Sequence, residues 1–233
     1  MRRDLPEVGE VEGPPVLPAG MAAPDVIAAL RGAMTDARFA RITSVVAGRI
    51  CAVVPVLENL ADPHNAAAVL RTADAFGLQT VHVIEAPHRF VASHRVARGT
   101  DRWLDVVRFS SPAACARALH DRGFEIFVAA ADGALTPREL RARDRVAVVL
   151  GNEHSGASAE MRGDADGSYR IPMRGFVESF NVSVAAAITL HALTEDRAGD
   201  LDDGAREQLI ARFMMGTVRD AEQIVAEYAR TRR

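Results

Sequence analysis

The hydrophobic pattern changes rhythm along the chain, and each change marks an element. Residues 1–23 carry Pro6, Pro14, Pro15 and Pro18, several acids and few large apolar side chains, which predicts a flexible leader. Met34 stands as an alternative start. From Pro24 the pattern turns helical: Phe39, Ile42, Val45 and Val46 recur at three- and four-residue spacing up to Gly48. Arg38, Arg41 and Arg49 lie off that stripe, where they form either a basic face or an ordinary solvated one.

Beyond Gly48 strands and helices alternate. Val53–Leu57 is a continuous apolar run, the pattern of a strand buried on both faces, although Pro55 argues against a central place in a sheet. Asp62 and Pro63 supply an N-cap and a first-turn proline, residues 66–76 read as helix, and Gly77 stands where that helix should end. Val81–Ile84 reads as the next strand. The same punctuation returns at Ser111 and Pro112, with a helix through Leu119 to Gly123 and a strand over Glu125–Ala130. Arg145–Leu150 reads as a further buried strand, Tyr169–Ile171 as a short one and Ser183–Leu193 as a long Ala-rich helix. Strands separated by helices predict an α/β protein with a parallel sheet covered by helices on both faces. The expected division is a leader (1–23), a helical extension (24–49), an α/β domain (50–196) and a helical tail (197–233).

Composition narrows the chemistry. With 233 residues, 48% hydrophobic and 25% charged, the chain can bury a sizeable core. All 28 basic residues are Arg, set against 31 acids for a net charge of −3. The absence of Lys excludes a P-loop ending in Gly-Lys-Ser/Thr and any Schiff-base lysine. Net charge hides local fields, and a planar, permanently charged guanidinium suits phosphate, so the position of each arginine matters more than the sum. A codon preference for Arg accounts for most of them.

Cys51 and Cys115 fit neither a zinc spacing nor a disulfide framework, and no His-Glu-x-x-His occurs, so no metal is expected. The apolar stretches near Ile50–Leu57 and Val182–Leu190 are far shorter than the ~20 residues of a membrane span. Arg2 and Arg3 are followed by acids and prolines instead of the apolar core of a signal peptide. A cytoplasmic protein is expected.

A parallel sheet binds ligands beyond the carboxyl ends of its strands. Neither a Gly-x-Gly-x-x-Gly fingerprint nor a P-loop is present there, since Gly151 and Gly156 are followed by Ala157 and Ser158. Three other polar loops follow predicted strands. The first runs from Glu58 to Asn65 and leads into a helix bearing Arg71; read locally, Asn65 is a first-turn polar residue and Arg71 a partner for Asp74 at i+3. The second is Gly151-Asn152-Glu153-His154-Ser155-Gly156, for which the local reading is a strand-to-helix turn capped by Ser158. The third is Ile171-Pro172-Met173-Arg174-Gly175, continuing to Ser179-Phe180-Asn181-Val182-Ser183-Val184-Ala185, where capping explains Ser179 or Asn181 but not both.

Together, in this order and spacing, the loops resemble the three motifs of the SPOUT superfamily in its SpoU/TrmH branch of RNA 2′-O-ribose methyltransferases. Asn65…Arg71 stands for the first, Gly151-x-Glu153-x-x-Gly156 for the second, and Ile171-Pro172-Met173…Ser179-x-Asn181 for the third; the likeness runs from about Ala37 to His191. The resemblance implies a C-terminal deep trefoil knot, a rare exception to the rule that connections do not thread loops. It implies S-adenosylmethionine as cofactor, held by Leu150, Gly151, Asn152, Glu153, Ile171, Pro172, Met173, Ser179, Phe180 and Val182. It also implies a homodimer with the active site at the subunit interface. Arg71 is the implied catalytic residue, oriented with donor and ribose by Asn65, Glu153, Ser179 and Asn181. Because guanidinium holds its proton to a pKa above ~12, Arg71 is better read as holding a phosphate or the developing alkoxide than as the base.

The segment from Arg95 to Val106 looks like the matching stretch of tRNA enzymes that methylate the D-loop guanosine at position eighteen, and it gathers Arg95, Arg98 and Arg102. With Arg38 and Arg41 these are the expected RNA contacts. Three alternatives remain at this point: a ribosomal-RNA ribose methyltransferase, a knotted RNA-binding module without catalysis, and a small-molecule methyltransferase.

Overall fold

The computed structural model describes residues 11–85 and 102–232. The strands are β1 (Val11–Glu12), β2 (Val53–Glu58), β3 (Thr80–Ile84), β4 (Asp105–Phe109), β5 (Glu125–Ala129), β6 (Val146–Leu150) and β7 (Gly167–Tyr169). They form one sheet in the order β1-β4-β3-β2-β6-β5-β7. All its pairings are parallel except that β1 lies antiparallel on β4. The expected α/β class is the one observed.

Strand parity explains the two cores. Val53 and Leu57 of β2 point to one face, where α3 (Pro63–Ala75) and α7 (Val182–Thr194) bring Val69, Leu70, Ala186 and Leu190. Val54 and Val56 point to the other, against Cys115 and Leu119 of α4 (Pro112–His120) and Met161 of α6 (Ala159–Asp164). Every residue of β2 and β6 is buried, as the continuous apolar runs require. A single turn, α5 (Pro137–Leu140), lies between β5 and β6 and is closed by a capping box of Thr136 and Glu139. A third core gathers the terminal helices α1 (Ala23–Arg31), α2 (Asp36–Ala47), α8 (Asp203–Met215) and α9 (Ala221–Thr231) around Val26, Leu30, Phe213 and Met214.

The structure departs from the sequence reading at several places. Pro55 sits in a central strand after all; the ladder to β3 begins at Val56, one residue later, so the missing N–H does not interrupt it. β4 was not anticipated, and β7 starts and ends two residues before the expected Tyr169–Ile171. Residues 11–22, expected to be a flexible leader, are tied down. Arg108 donates to both carboxylate oxygens of Glu12 (3.0 and 3.1 Å), and Arg212 donates to the carbonyl of Pro14 (3.0 Å). Upstream of Met34, α1 delivers the fully buried Val26 and Leu30 to the third core. Arg49, grouped with Arg38 and Arg41 on a helix face, is instead 1% exposed.

Candidate functional site

The chain steps from β2 outward to β3 and β4, then returns to lay β6 against the other side of β2 with β5 and β7 beyond. The carboxyl ends of β2 and β6 therefore flank the point where the order reverses, the place where an open α/β sheet leaves a crevice. The loops after β2, β6 and β7 are the three singled out by their polar residues.

Side-chain hydrogen bonds bring the three loops together. Glu153, after β6, accepts from the Ala61 N–H (2.8 Å), the Asp62 N–H (3.3 Å) and the Asn65 amide (2.9 Å). The Asn181 amide donates in turn to Asn65 Oδ1 (3.1 Å), while Asn181 Oδ1 caps α7 by accepting from the Ser183 N–H (2.9 Å). A chain from β6 through β2 to β7 thus joins residues 88 and 116 positions apart. Partial burial alone would raise the Glu153 carboxyl; the hydrogen bonds from Ala61, Asn65 and Asp62 outweigh it and hold the group at about 2. A carboxylate so satisfied is a poor proton acceptor and a good clamp, and its charge complements the N-terminus of α3.

Arg71 lies on the exposed face of α3. Among the described residues it makes no hydrogen bond or ion pair, and Asp74, its expected i+3 partner, is bound elsewhere: Arg49 donates to Asp74 Oδ1 at 2.7 Å. Ser179 is exposed and, unlike Asn181, plays no part in capping. Capping therefore accounts for Asn181, as one of the two, and leaves Ser179 unexplained by structure.

The glycines serve the loop's own path. A Cβ on Gly151 would lie 2.1 Å from the Ala157 nitrogen, because the loop folds back on itself through paired Asn152 and Gly156 backbone bonds (3.0 and 2.8 Å). Gly156 takes φ +68°, the left-handed region that favours glycine. Ser158 caps α6 as expected, accepting from the Met161 N–H (3.0 Å). Two supports were missed in the sequence. Asn59 adopts φ 50°, and its carbonyl accepts from the Asn152 amide (2.8 Å). Glu58, buried, accepts from the Ser158 N–H (3.0 Å) and so ties the β2 end to the β6 loop. An Asn just after a strand was the available signal for the first; nothing local marks the second.

Leu150 is buried at the end of β6 and Val182 at the start of α7. Between them in the third loop, Ile171 and Met173 are half-buried while Pro172 and Arg174 are exposed. Residues 171–180 make no backbone hydrogen bonds among the described residues. Half-buried apolar side chains beside main-chain groups that make no backbone hydrogen bond among the described residues suit a ligand with an apolar body and a few polar atoms. Phe180 is 40% exposed.

Arg38, Arg41 and Arg102 are exposed and make no ion pair among the described residues; Arg95 and Arg98 lie outside the described residues. No group of His, Cys, Asp and Glu that could hold a metal occurs among the described residues, and no helix there is long and apolar enough to cross a membrane.

Comparison with known proteins supplies the family and the fold. The family model described as "SpoU rRNA Methylase family" matches residues 52–191. The chain is 35% identical over 164 residues to the tRNA (guanosine(18)-2′-O)-methyltransferase of Thermus thermophilus, covering 70% of this chain and 84% of that protein. Among solved structures, the A. aeolicus TrmH/SpoU tRNA modifying enzyme shares the fold with a TM-score of 0.70 and 24% identity, over 79% of this chain and 98% of that one. The SpoU methyltransferase AviRb from Streptomyces viridochromogenes, solved with AdoMet, shares it with a TM-score of 0.56 and 24% identity, over 66% and 60%.

Proposed function

The chain belongs to the SpoU rRNA methylase family, and from that premise we propose that it transfers a methyl group from S-adenosylmethionine to a ribose 2′-hydroxyl of RNA. The substrate is tRNA and the target the D-loop guanosine at position eighteen, the reaction printed in the name of its 35% identical relative. One observation carries the reading: Glu153, Asn65 and Asn181 lock three strand-end loops together beside an exposed Arg71 that makes no hydrogen bond or ion pair among the described residues.

S-adenosylmethionine, when bound, supplies an electrophilic methyl group on a cationic sulfur. The protein's share is therefore alignment and the handling of the hydroxyl proton. Leu150, Gly151, Asn152, Glu153, Ile171, Pro172, Met173, Ser179, Phe180 and Val182 are the residues that would hold the donor, and the half-buried Ile171 and Met173, in a loop without backbone hydrogen bonds among the described residues, fit that role. Glu153 fixes the entry to α3, and Asn65 and Asn181 set α3 against α7. Arg71 then projects from a rigid helix, where its guanidinium holds an RNA phosphate or the alkoxide developing at the 2′-oxygen by charge-assisted hydrogen bonds. Ser179 is free to meet donor or ribose. Glu153, clamped and strongly acidic, is not the base.

Arg38, Arg41 and Arg102, with Arg95 and Arg98, extend the contact along the RNA backbone. A second copy of the chain covers the apolar surface beside the site: Val184 and Ile188, one turn apart on α7, are 44% and 37% exposed, and the preceding loop exposes Phe176 and Val177. A knot in the C-terminal segment is what the family likeness implies, and the stretch that follows α7 is pinned down. Arg197 donates to the carbonyls of Arg141, Arg143 and Asp144, and Asp200 accepts from the Cys51 and Ala52 N–H groups at the start of β2. A tRNA substrate places the work in the cytoplasm.

Calorimetry with S-adenosylmethionine and a transfer assay on unmodified tRNA test the division of roles. Arg71→Ala should bind the donor as the wild type does and lose transfer by about a hundredfold or more, the scale of one lost transition-state donor. Normal turnover in that variant would sink the reading.

A further inference from the structure

Asp74 follows Arg71 by three residues on α3, the spacing at which Arg and Asp pair on a helix surface. In the fold they are kept apart. Arg49 takes Asp74 Oδ1 at 2.7 Å and is itself gripped from three directions: it donates to the Leu78 carbonyl (2.8 Å) and the Trp103 carbonyl (3.2 Å), and its guanidinium lies 5.6 Å from the centre of the Phe213 ring. With 1% exposure it cannot swing away.

We infer that Arg49 is a positioning residue for methyl transfer: by sequestering the Asp74 carboxylate it keeps Arg71 free for RNA. The inference rests on the role of Arg71 proposed above. An unheld Asp74 would compete with the RNA for Arg71 and would set a negative charge one helical turn from the phosphate or alkoxide that Arg71 receives. Arg49 follows Gly48, the C-cap of α2, and is backed by Phe213 of α8, so the terminal lobe delivers a cation to the rear of α3. The lobe thereby acts on the site without reaching it. The same guanidinium holds the carbonyl next to Arg102, which ties a second expected RNA contact to this anchor.

Steady-state methylation of an unmodified tRNA transcript, with KM and kcat separated, tests this. Arg49→Met should raise KM about threefold to tenfold, as expected when an exposed ion pair and a nearby like charge oppose the substrate. Adding Asp74→Asn to Arg49→Met should restore KM to within about twofold of wild type, because the competing charge is gone. A merely structural Arg49 predicts equal losses in the single and double variants, and that result overturns the inference.

Ala75 is exposed and lies at i+4 from Arg71, so Ala75→Glu adds an unheld carboxylate without disturbing Arg49. It should raise KM about twofold over Ala75→Gln; equal values overturn the inference even if Arg49→Met does not fold. Arg71→Ala is the control that separates the two claims. If it loses transfer while the Asp74 rescue fails, only the role of Arg49 falls; if it transfers normally, both fall.

Discussion

The strand-end site and the terminal helical lobe are held together by opposite means. At the strand ends the links are polar and partly exposed, a relay of Glu153, Asn65 and Asn181 laid over the end of an apolar core. In the lobe, Val26, Leu30, Phe213 and Met214 are each 0–1% exposed and the joints are apolar. A relay of hydrogen bonds sets directions, whereas burial of large side chains supplies stability without directing any atom. Geometry and stability are therefore separable in this chain, and Arg49 is the residue at which they meet.

The largest effect that would sharpen the contrast lies in the lobe. Phe213 packs edge-on to Trp103 with ring centres 5.0 Å apart, and Phe213→Ala should cost about 3–5 kcal/mol of stability in denaturant melts. A loss under about 1 kcal/mol would contradict the lobe as a packed core.

A smaller effect is expected at the relay, and only in acid. The folded Glu153 carboxyl sits at about 2 against an ordinary 4.5, so its contribution is complete above about 4.5 and is lost as the pH falls toward 2. Thermal midpoints followed through that window should fall more steeply for wild type than for Glu153→Gln. Parallel curves would remove Glu153 as the clamp.

The smallest effect belongs to the surface of the extension. Arg38→Ala with Arg41→Ala should weaken tRNA binding and flatten its salt dependence by about 0.7–0.9 in log–log slope per lost phosphate contact. An unchanged slope would return α2 to the role of a solvated face.

The two regions also differ in how far they could be read from sequence. β2 and β6 announced themselves as unbroken apolar runs, and Asp62 with Pro63 marked the start of α3, because these signals are local. The three loops were recognisable as a set, but the bond from Asn65 to Glu153 spans 88 positions and no spacing rule reaches it. β4 escaped because Asp105 and Arg108 interrupt it. Both are satisfied from distant parts of the chain, Asp105 by Arg212 (2.7 Å) and Arg108 by Glu12 (3.0 Å). Arg49 was misread for the same reason: a charge next to an amphipathic helix looks solvated until partners 25, 29 and 54 residues away close over it.

On the proposed function, the strand-end loops hold S-adenosylmethionine and aim Arg71 at an RNA ribose. Its most direct test is to incubate the purified chain with methyl-labelled donor and an unmodified tRNA transcript and to locate the label by mass spectrometry. One labelled ribose 2′-oxygen is expected, at the D-loop guanosine, absent when Arg71 is replaced by Ala. Label on a base, or donor and tRNA both bound with no transfer, would contradict it.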